Sequence, residues 1–131
     1  MNGYLIFMKT KEQCAVLIVD DDPDIIDAVA NVLMSCWYQL RMAVDGLSAL
    51  ETLRDMPRQP CVVVTDLQMP GMDGFALIRA IRADERLSHV RIVVLSGIAQ
   101  KAPPGADAVL AKPFEFLELR AIVSLLLDSV K

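Results

Sequence analysis

The chain has 131 residues, 54% of them hydrophobic and 23% charged, and carries a net charge of -4. That length suits one domain, and the composition excludes a disordered chain because enough apolar surface is present to bury a core. Mild acidity without a basic stripe argues against nucleic acid as the main partner, since no cation cluster is there to neutralise phosphates.

In chain order, the first feature is the apolar run Tyr4 to Met8. It is too short for a signal h-region or a bilayer span, no basic segment precedes it, and Met8 is an equally good start. Residues 1–13 therefore read as an N-terminal tail and 14–131 as the domain, with the cytoplasm as the expected location. "CAVLIVD" (Cys14 to Asp20) is a continuous apolar run rich in β-branched residues, as in a strand buried on both faces. Asp22 followed by Pro23 reads as an N-cap and a first-turn proline. Behind them Ile26, Val29, Ala30 and Leu33 fall at helical spacing. "YQLRMAV" (Tyr38 to Val44) alternates as a second strand. Asp45 caps a second helix with Ala49, Leu50 and Leu53 inward. "CVVVTD" is a third buried strand. Asp73 and Gly74 open a third helix with Phe75, Ile78 and Ile81 inward. "VRIVVLSG" is a fourth strand and "ADAVLA" a short fifth. A last helix is predicted from about Glu115 to Val130, with Phe116, Leu119, Ile122, Val123 and Leu126 on one face. The odd number of cysteines, Cys14, Cys36 and Cys61, and their apolar surroundings read as small core residues in a reducing compartment, not a disulfide frame or metal site.

Strands alternating with helices imply a parallel sheet covered on both faces, joined by right-handed crossovers. Five such units in one small domain predict an α/β, doubly wound, flavodoxin-like sheet of order 2-1-3-4-5, whose ligands bind beyond the carboxyl ends of the strands. At those ends lie Asp20, Asp21 and Asp22 after strand one and Asp66 after strand three. Ser96 and Gly97 follow strand four, and Lys112 and Pro113 follow strand five. Clustered carboxylates repel unless a cation offsets them. All-oxygen donors suit Mg²⁺, or Mn²⁺, rather than zinc. Asp66 is then placed to act as a nucleophile toward phosphorus, with Lys112, the Ser96 hydroxyl and nearby N–H groups meeting the phosphoryl oxygens. The lone His89 lies in a polar turn with no nucleophilic partner and reads as solvated.

"VLIVDDDPD", "VVVTDLQMPGMDG", "VVLSG" and "AKPF", in that order and at strand ends, resemble the motifs of the response-regulator receiver domain of bacterial two-component signalling. The resemblance runs from Ala15 to the C-terminus. It implies that Asp66 is the phosphoacceptor, supplied by phosphohistidine on a sensor histidine kinase or histidine phosphotransferase. It implies that Asp20 and Asp21 form the acid pocket, and that Asp21, Asp66 and the Gln68 backbone carbonyl bind Mg²⁺. Ser96 and Lys112 would grip phosphoryl oxygens, and Lys112–Pro113 would be a cis peptide. Helix one, with Asp24, Asp27 and Asn31 exposed, would face the phosphodonor. No direct nucleic-acid or membrane partner and a monomer are expected. Beyond phosphotransfer to itself and its slow reversal, no enzymatic activity is expected.

The sequence also departs from the family's pattern. In "SGIAQKAPPGADAVLAKPF" roughly six residues are missing, nearly two helical turns, and Pro103 and Pro104 forbid a helix through the segment. The fourth helix is therefore expected to be shortened or absent. Val109 stands where the family commonly has an aromatic switch residue, and a β-branched side chain that short cannot swing between buried and exposed positions. Dimerisation through the face made by helix four, strand five and helix five is therefore not expected. Ile98 replaces a polar residue that often influences hydrolysis of the acyl phosphate; Gln68 keeps a polar one. Trp37 replaces a helix-capping glycine after Cys36 and is expected to tuck against the sheet. No output domain is legible, so the chain reads as a stand-alone receiver or as one excised from a longer regulator or hybrid kinase. Two other readings stay open: a receiver-like binding module that is never phosphorylated, and, less well matched, a phosphatase of the haloacid dehalogenase type. Asp20 and Asp22 give the latter's D-x-D spacing, but Asp24 and Pro23 break its motif.

Overall fold

A computed structural model of the protein describes residues 15–34, 38–98 and 101–128. In chain order its elements are β1 (Ala15–Val19), α1 (Pro23–Met34), β2 (Gln39–Ala43), α2 (Gly46–Asp55), β3 (Val62–Asp66), α3 (Gly74–Ala83), β4 (Arg91–Ser96), β5 (Ala108–Ala111) and α4 (Phe116–Asp128). The five strands form one sheet of order β2-β1-β3-β4-β5, every neighbouring pair parallel. This is the predicted doubly wound arrangement.

Two hydrophobic layers explain why the central strands read as unbroken apolar runs. Leu17, Val19, Val63, Ile92 and Val94 pack beneath α2 and α3 with Ala49, Leu53, Leu77 and Ile81. Val16, Ile18, Val62, Val64, Val93 and Leu95 pack on the other side with Val29, Leu33, Leu119 and Val123 of α1 and α4. Successive side chains of each strand point to opposite covered faces, so polarity has nowhere to alternate.

The helix starts follow local chemistry. Asp22 Oδ1 accepts the Asp24 N–H at 2.9 Å, ahead of Pro23. Asp45 and Asp73 cap α2 and α3 by accepting the N–H groups of Ser48 and Ala76 at 2.7 and 2.9 Å. These bonds satisfy amides that have no partner inside the helix.

Some expectations need correction. Phe75 is 39% exposed; the buried stripe of α3 is Gly74, Leu77, Ile78 and Ile81. Glycine carries no apolar side chain, so in the sequence Phe75 stands out at the start of the helix although Gly74 is the buried position. Phe116, 64% exposed, also fails to join the buried side of its helix, which rests on Leu119 and Val123 with Ile122 and Leu126 partly covered. It opens the first turn of α4. β2 does not alternate cleanly either: paired, among the described residues, with β1 alone, it leaves Met42 exposed. Cys61 is half-buried rather than buried. The tail, Cys14, Cys36 and Trp37 lie outside the described residues.

Among the described residues no helix lies between β4 and β5. Pro103 is buried and its carbonyl accepts the Ala106 N–H at 3.0 Å, closing a turn. Among the described residues, no helix is long and apolar enough to cross a membrane.

Candidate functional site

Parallel register brings the strand ends into step. Val19 pairs with Ala43 and Thr65, Asp66 with Leu95, and Ser96 with Ala111. These pairs and the residues just past them lie together at the carboxyl end of the sheet. Asp20 is 2% exposed, Asp66 8% and Ser96 2%, whereas Asp21 is exposed. One carboxylate oxygen from each of Asp20, Asp21 and Asp66 lies within 4.8 Å of the others, a spacing that could hold a metal ion. Three carboxylates and no imidazole or thiolate make a hard donor set, which fits Mg²⁺ and not zinc.

Lys112 joins this group from β5. Its Nζ lies 2.9 Å from Asp20 Oδ2 and 3.4 Å from Asp66 Oδ2, and its peptide bond to Pro113 is cis. Burial raises the Asp20 carboxyl above its ordinary value, against the opposing pull of the Asp22 N–H and the Lys112 ammonium. For Lys112, burial alone would lower the ammonium's value; the Asp20 and Asp66 carboxylates outweigh it and the net direction is up. Both shifts follow from placing like and unlike charges in a half-dry pocket.

The two buried carboxylates are held by backbone. Asp20 Oδ1 accepts the Asp22 N–H at 2.9 Å, and Asp66 Oδ1 accepts the Leu67 N–H at 2.7 Å. The Asp66 carbonyl accepts the hydroxyl of fully buried Thr65 at 2.9 Å. Thr65 was not singled out in the sequence, although a lone hydroxyl in a buried apolar strand is a visible signal. Behind Asp66, Gly74 donates its N–H to the Leu67 carbonyl at 2.9 Å. A methyl at Gly74 would overlap the backbone of Asp66 and Leu67, so only glycine lets α3 begin this close to the acid. Gly71 takes a left-handed φ of 72° in the same loop.

Ser96 Oγ accepts the Ile98 N–H at 3.1 Å, and the Ser96 carbonyl accepts the Lys112 N–H at 2.9 Å, tying β4 to the end of β5. Gln68 is exposed in the loop after Asp66, where Leu67, Met69, Phe75 and Ile98 border a shallow depression of about 460 Å³. Val109 is half-buried against the α2/α3 layer. Asp24, Asp27 and Asn31 are exposed on α1, and His89 is exposed well away from the pocket in sequence. The arrangement can bind a divalent cation and present a buried carboxylate beside a cation and a hydroxyl.

The profile described as "Response regulator receiver domain" matches residues 16–124. The chain is 35% identical over 118 residues to the DNA-binding dual master transcriptional regulator RpaA of Synechocystis sp., covering 86% of this chain and 48% of that protein. It is 37% identical over 123 residues to the sensor histidine kinase TmoS of Ectopseudomonas mendocina, covering 89% of this chain and 12% of that one. This chain thus spans about half, or much less, of the length of such relatives. Among solved structures, the receiver domain of sensor histidine kinase PA1611 from Pseudomonas aeruginosa superposes with a TM-score of 0.80 at 27% identity, covering 88% of this chain and 98% of that one. That receiver holds a magnesium ion in its active-site cleft. The matched span, the strand order and the acidic pocket together make this chain a member of the response regulator receiver domain family of two-component signalling.

Proposed function

We propose that this receiver domain takes a phosphoryl group onto Asp66 from phosphohistidine on a sensor histidine kinase or histidine phosphotransferase, in the cytoplasm. The observation that carries the reading is the meeting of Asp20, Asp21 and Asp66 within 4.8 Å, with the Lys112 ammonium between Asp20 and Asp66. The chemistry is displacement at phosphorus. An Asp66 carboxylate oxygen forms the new P–O bond as the P–N bond to imidazole breaks, and the leaving imidazole retains the electron pair and takes up a proton.

Asp66 Oδ1 is already committed to the Leu67 N–H, which leaves Oδ2, the oxygen facing Lys112, as the attacking atom. Lys112 then offers its ammonium to a phosphoryl oxygen, and Ser96 offers its hydroxyl from the adjoining strand end. Asp20, Asp21, Asp66 and the Gln68 backbone carbonyl would hold Mg²⁺. When bound there, the ion supplies positive charge against the pocket acids and the phosphoryl oxygens. The lack of a helix between β4 and β5 among the described residues, together with Val109, supports an output that does not use the usual dimerisation face. The matched transcriptional regulator and sensor kinase are both longer than this chain, which supports a receiver attached to a larger protein; a stand-alone receiver would take the phosphoryl group in the same way.

The test is intact mass after incubation with Mg²⁺ and acetyl phosphate. The expected result is one phosphoryl adduct, absent with chelator and absent in Asp66→Ala. No adduct from acetyl phosphate or from a phosphohistidine donor, in protein folded by circular dichroism, would replace this reading with a constitutive binding module. An adduct that survives in Asp66→Ala would assign another acid.

A further inference from the structure

β5 delivers Lys112 to the pocket, yet it is a four-residue strand whose sheet partner, among the described residues, is β4. Among the described residues no helix braces the segment that leads into it. Its amino end is instead seated by Arg82, in the last turn of α3. Arg82 Nε donates to the Gly105 carbonyl at 2.8 Å. Nη1 donates to the carbonyls of Ser88 and Val90 at 2.7 and 2.6 Å, and Nη2 to Asp107 Oδ2 at 3.0 Å. One guanidinium thus joins α3, the turn before β4 and the turn before β5. A lysine, with a single nitrogen at its tip, cannot reproduce that fork.

Asp107 carries the seating into the sheet. Its N–H donates to the Ile92 carbonyl at 2.8 Å, and its Oδ2 accepts the Ile92 N–H at 2.7 Å. The carboxylate therefore extends the β4–β5 ladder one step past the strand, with Arg91 Nη1 3.6 Å from its other oxygen. Gly105, at a left-handed φ of 90°, brings the turn so close that a Cβ there would lie 2.8 Å from Ile78 Cγ2.

We propose that Arg82 and Asp107 are positioning residues for Lys112: their clamp at one end of β5 sets where the ammonium sits at the other. The strand is about 13 Å long at the usual rise per residue. Between the clamp and the pocket, β5 is held by its parallel pairing with β4 from Ala108 to Ala111, by buried Leu110 and by the Lys112 N–H to the Ser96 carbonyl, 2.9 Å. With so few pairs in the strand, a tilt released at Asp107 is carried along the ladder to Lys112 Nζ, whose two contacts lie at 2.9 and 3.4 Å. The three pocket carboxylates come from β1 and β3 and do not depend on the clamp. Only the catalytic consequence rests on the function proposed above.

The test uses the full chain carrying Arg82→Gln or, as the milder change, Asp107→Asn. Metal-free protein is pulsed with acetic anhydride, and acetylation of Lys112 is read by peptide mass spectrometry against exposed Lys101. The Lys112 to Lys101 ratio is expected to rise about fivefold as the strand opens locally. Mg²⁺ affinity stays within about twofold, and adduct formation from acetyl phosphate slows about tenfold through misplacement. Arg82→Lys does not restore either value. An unchanged Lys112 ratio in either folded variant overturns the proposal. So does a fall in Mg²⁺ affinity and melting temperature alongside it, which marks general loosening. If Arg82→Gln fails to fold, Asp107→Asn decides. If the unaltered chain takes no phosphoryl group, the functional reading fails and the lysine ratio still decides the clamp.

Discussion

Lys112 illustrates how one side chain serves two conditions of the pocket. Without metal it sets an ammonium between Asp20 and Asp66, and it offsets part of their repulsion. In the phosphotransfer proposed above it would meet the incoming oxygens. Lys112→Ala is expected to slow adduct formation about a hundredfold, the usual cost of losing one preorganised donor. Mg²⁺ should bind as tightly or more tightly in that variant, because a competing positive charge is gone. Stopped-flow phosphorylation and a metal titration check the two halves separately. Equal loss of both would mean that the lysine holds the pocket together rather than the phosphoryl group.

The helix starts carry the next set of expectations. Asp73 caps α3 directly after the loop that carries Gln68, and Asp73→Ala should cost about 1 kcal/mol in denaturant unfolding. Gly74→Ala forces the Asp66–Leu67 backbone to move, at about 1–3 kcal/mol for overpacking, and should lower the phosphorylation rate as well as stability. Asp45 gives a pH signature. Its hydrogen bonds with Ser48 lower its carboxyl from the ordinary 3.8, so it stays ionised in the fold where the unfolded chain already protonates. Its contribution is complete above 3.8 and disappears as pH falls through the lowered folded value. In acid, the melting temperature of Asp45→Asn should therefore fall less steeply than that of the unaltered chain; parallel curves would remove Asp45 from the acid response.

For the whole molecule, the pocket sets three carboxylates against one ammonium, so metal binding and folding are linked. Mg²⁺ at about 100 times its dissociation constant should stabilise the native state by about 2.7 kcal/mol. Chelator should reverse the gain, and Asp21→Asn should abolish most of it because Asp21 is a pocket acid free of the Lys112 contact. Scanning calorimetry with and without chelator reads this directly. An equal gain in Asp21→Asn would place the ion elsewhere. The core beneath the pocket is what keeps the acids in register: Leu17 is fully buried between layers, and Leu17→Ala should cost about 2–5 kcal/mol.

The sequence by itself determined the alternation of strands and helices, the sheet order and the four strand ends that converge. Runs such as Val62–Val64 can be satisfied only when covered on both faces, and Asp22, Asp45 and Asp73 announce the helices that cover them. It also determined that no helix runs through Pro103 and Pro104, because neither can donate the bonds a helix needs. Only the tertiary structure decided which helix faces turn inward. Phe75 and Phe116 read as core by composition, but burial is set by where each helix axis meets the sheet, and Gly74 and Leu119 lie on those lines. The tertiary structure likewise decided the support for Lys112. Arg82 and Asp107 stand 25 residues apart and look like ordinary surface charges in one dimension. Their joint hold on β5 exists because a long-range fold brings a helix end, two turns and an edge strand within reach of one guanidinium.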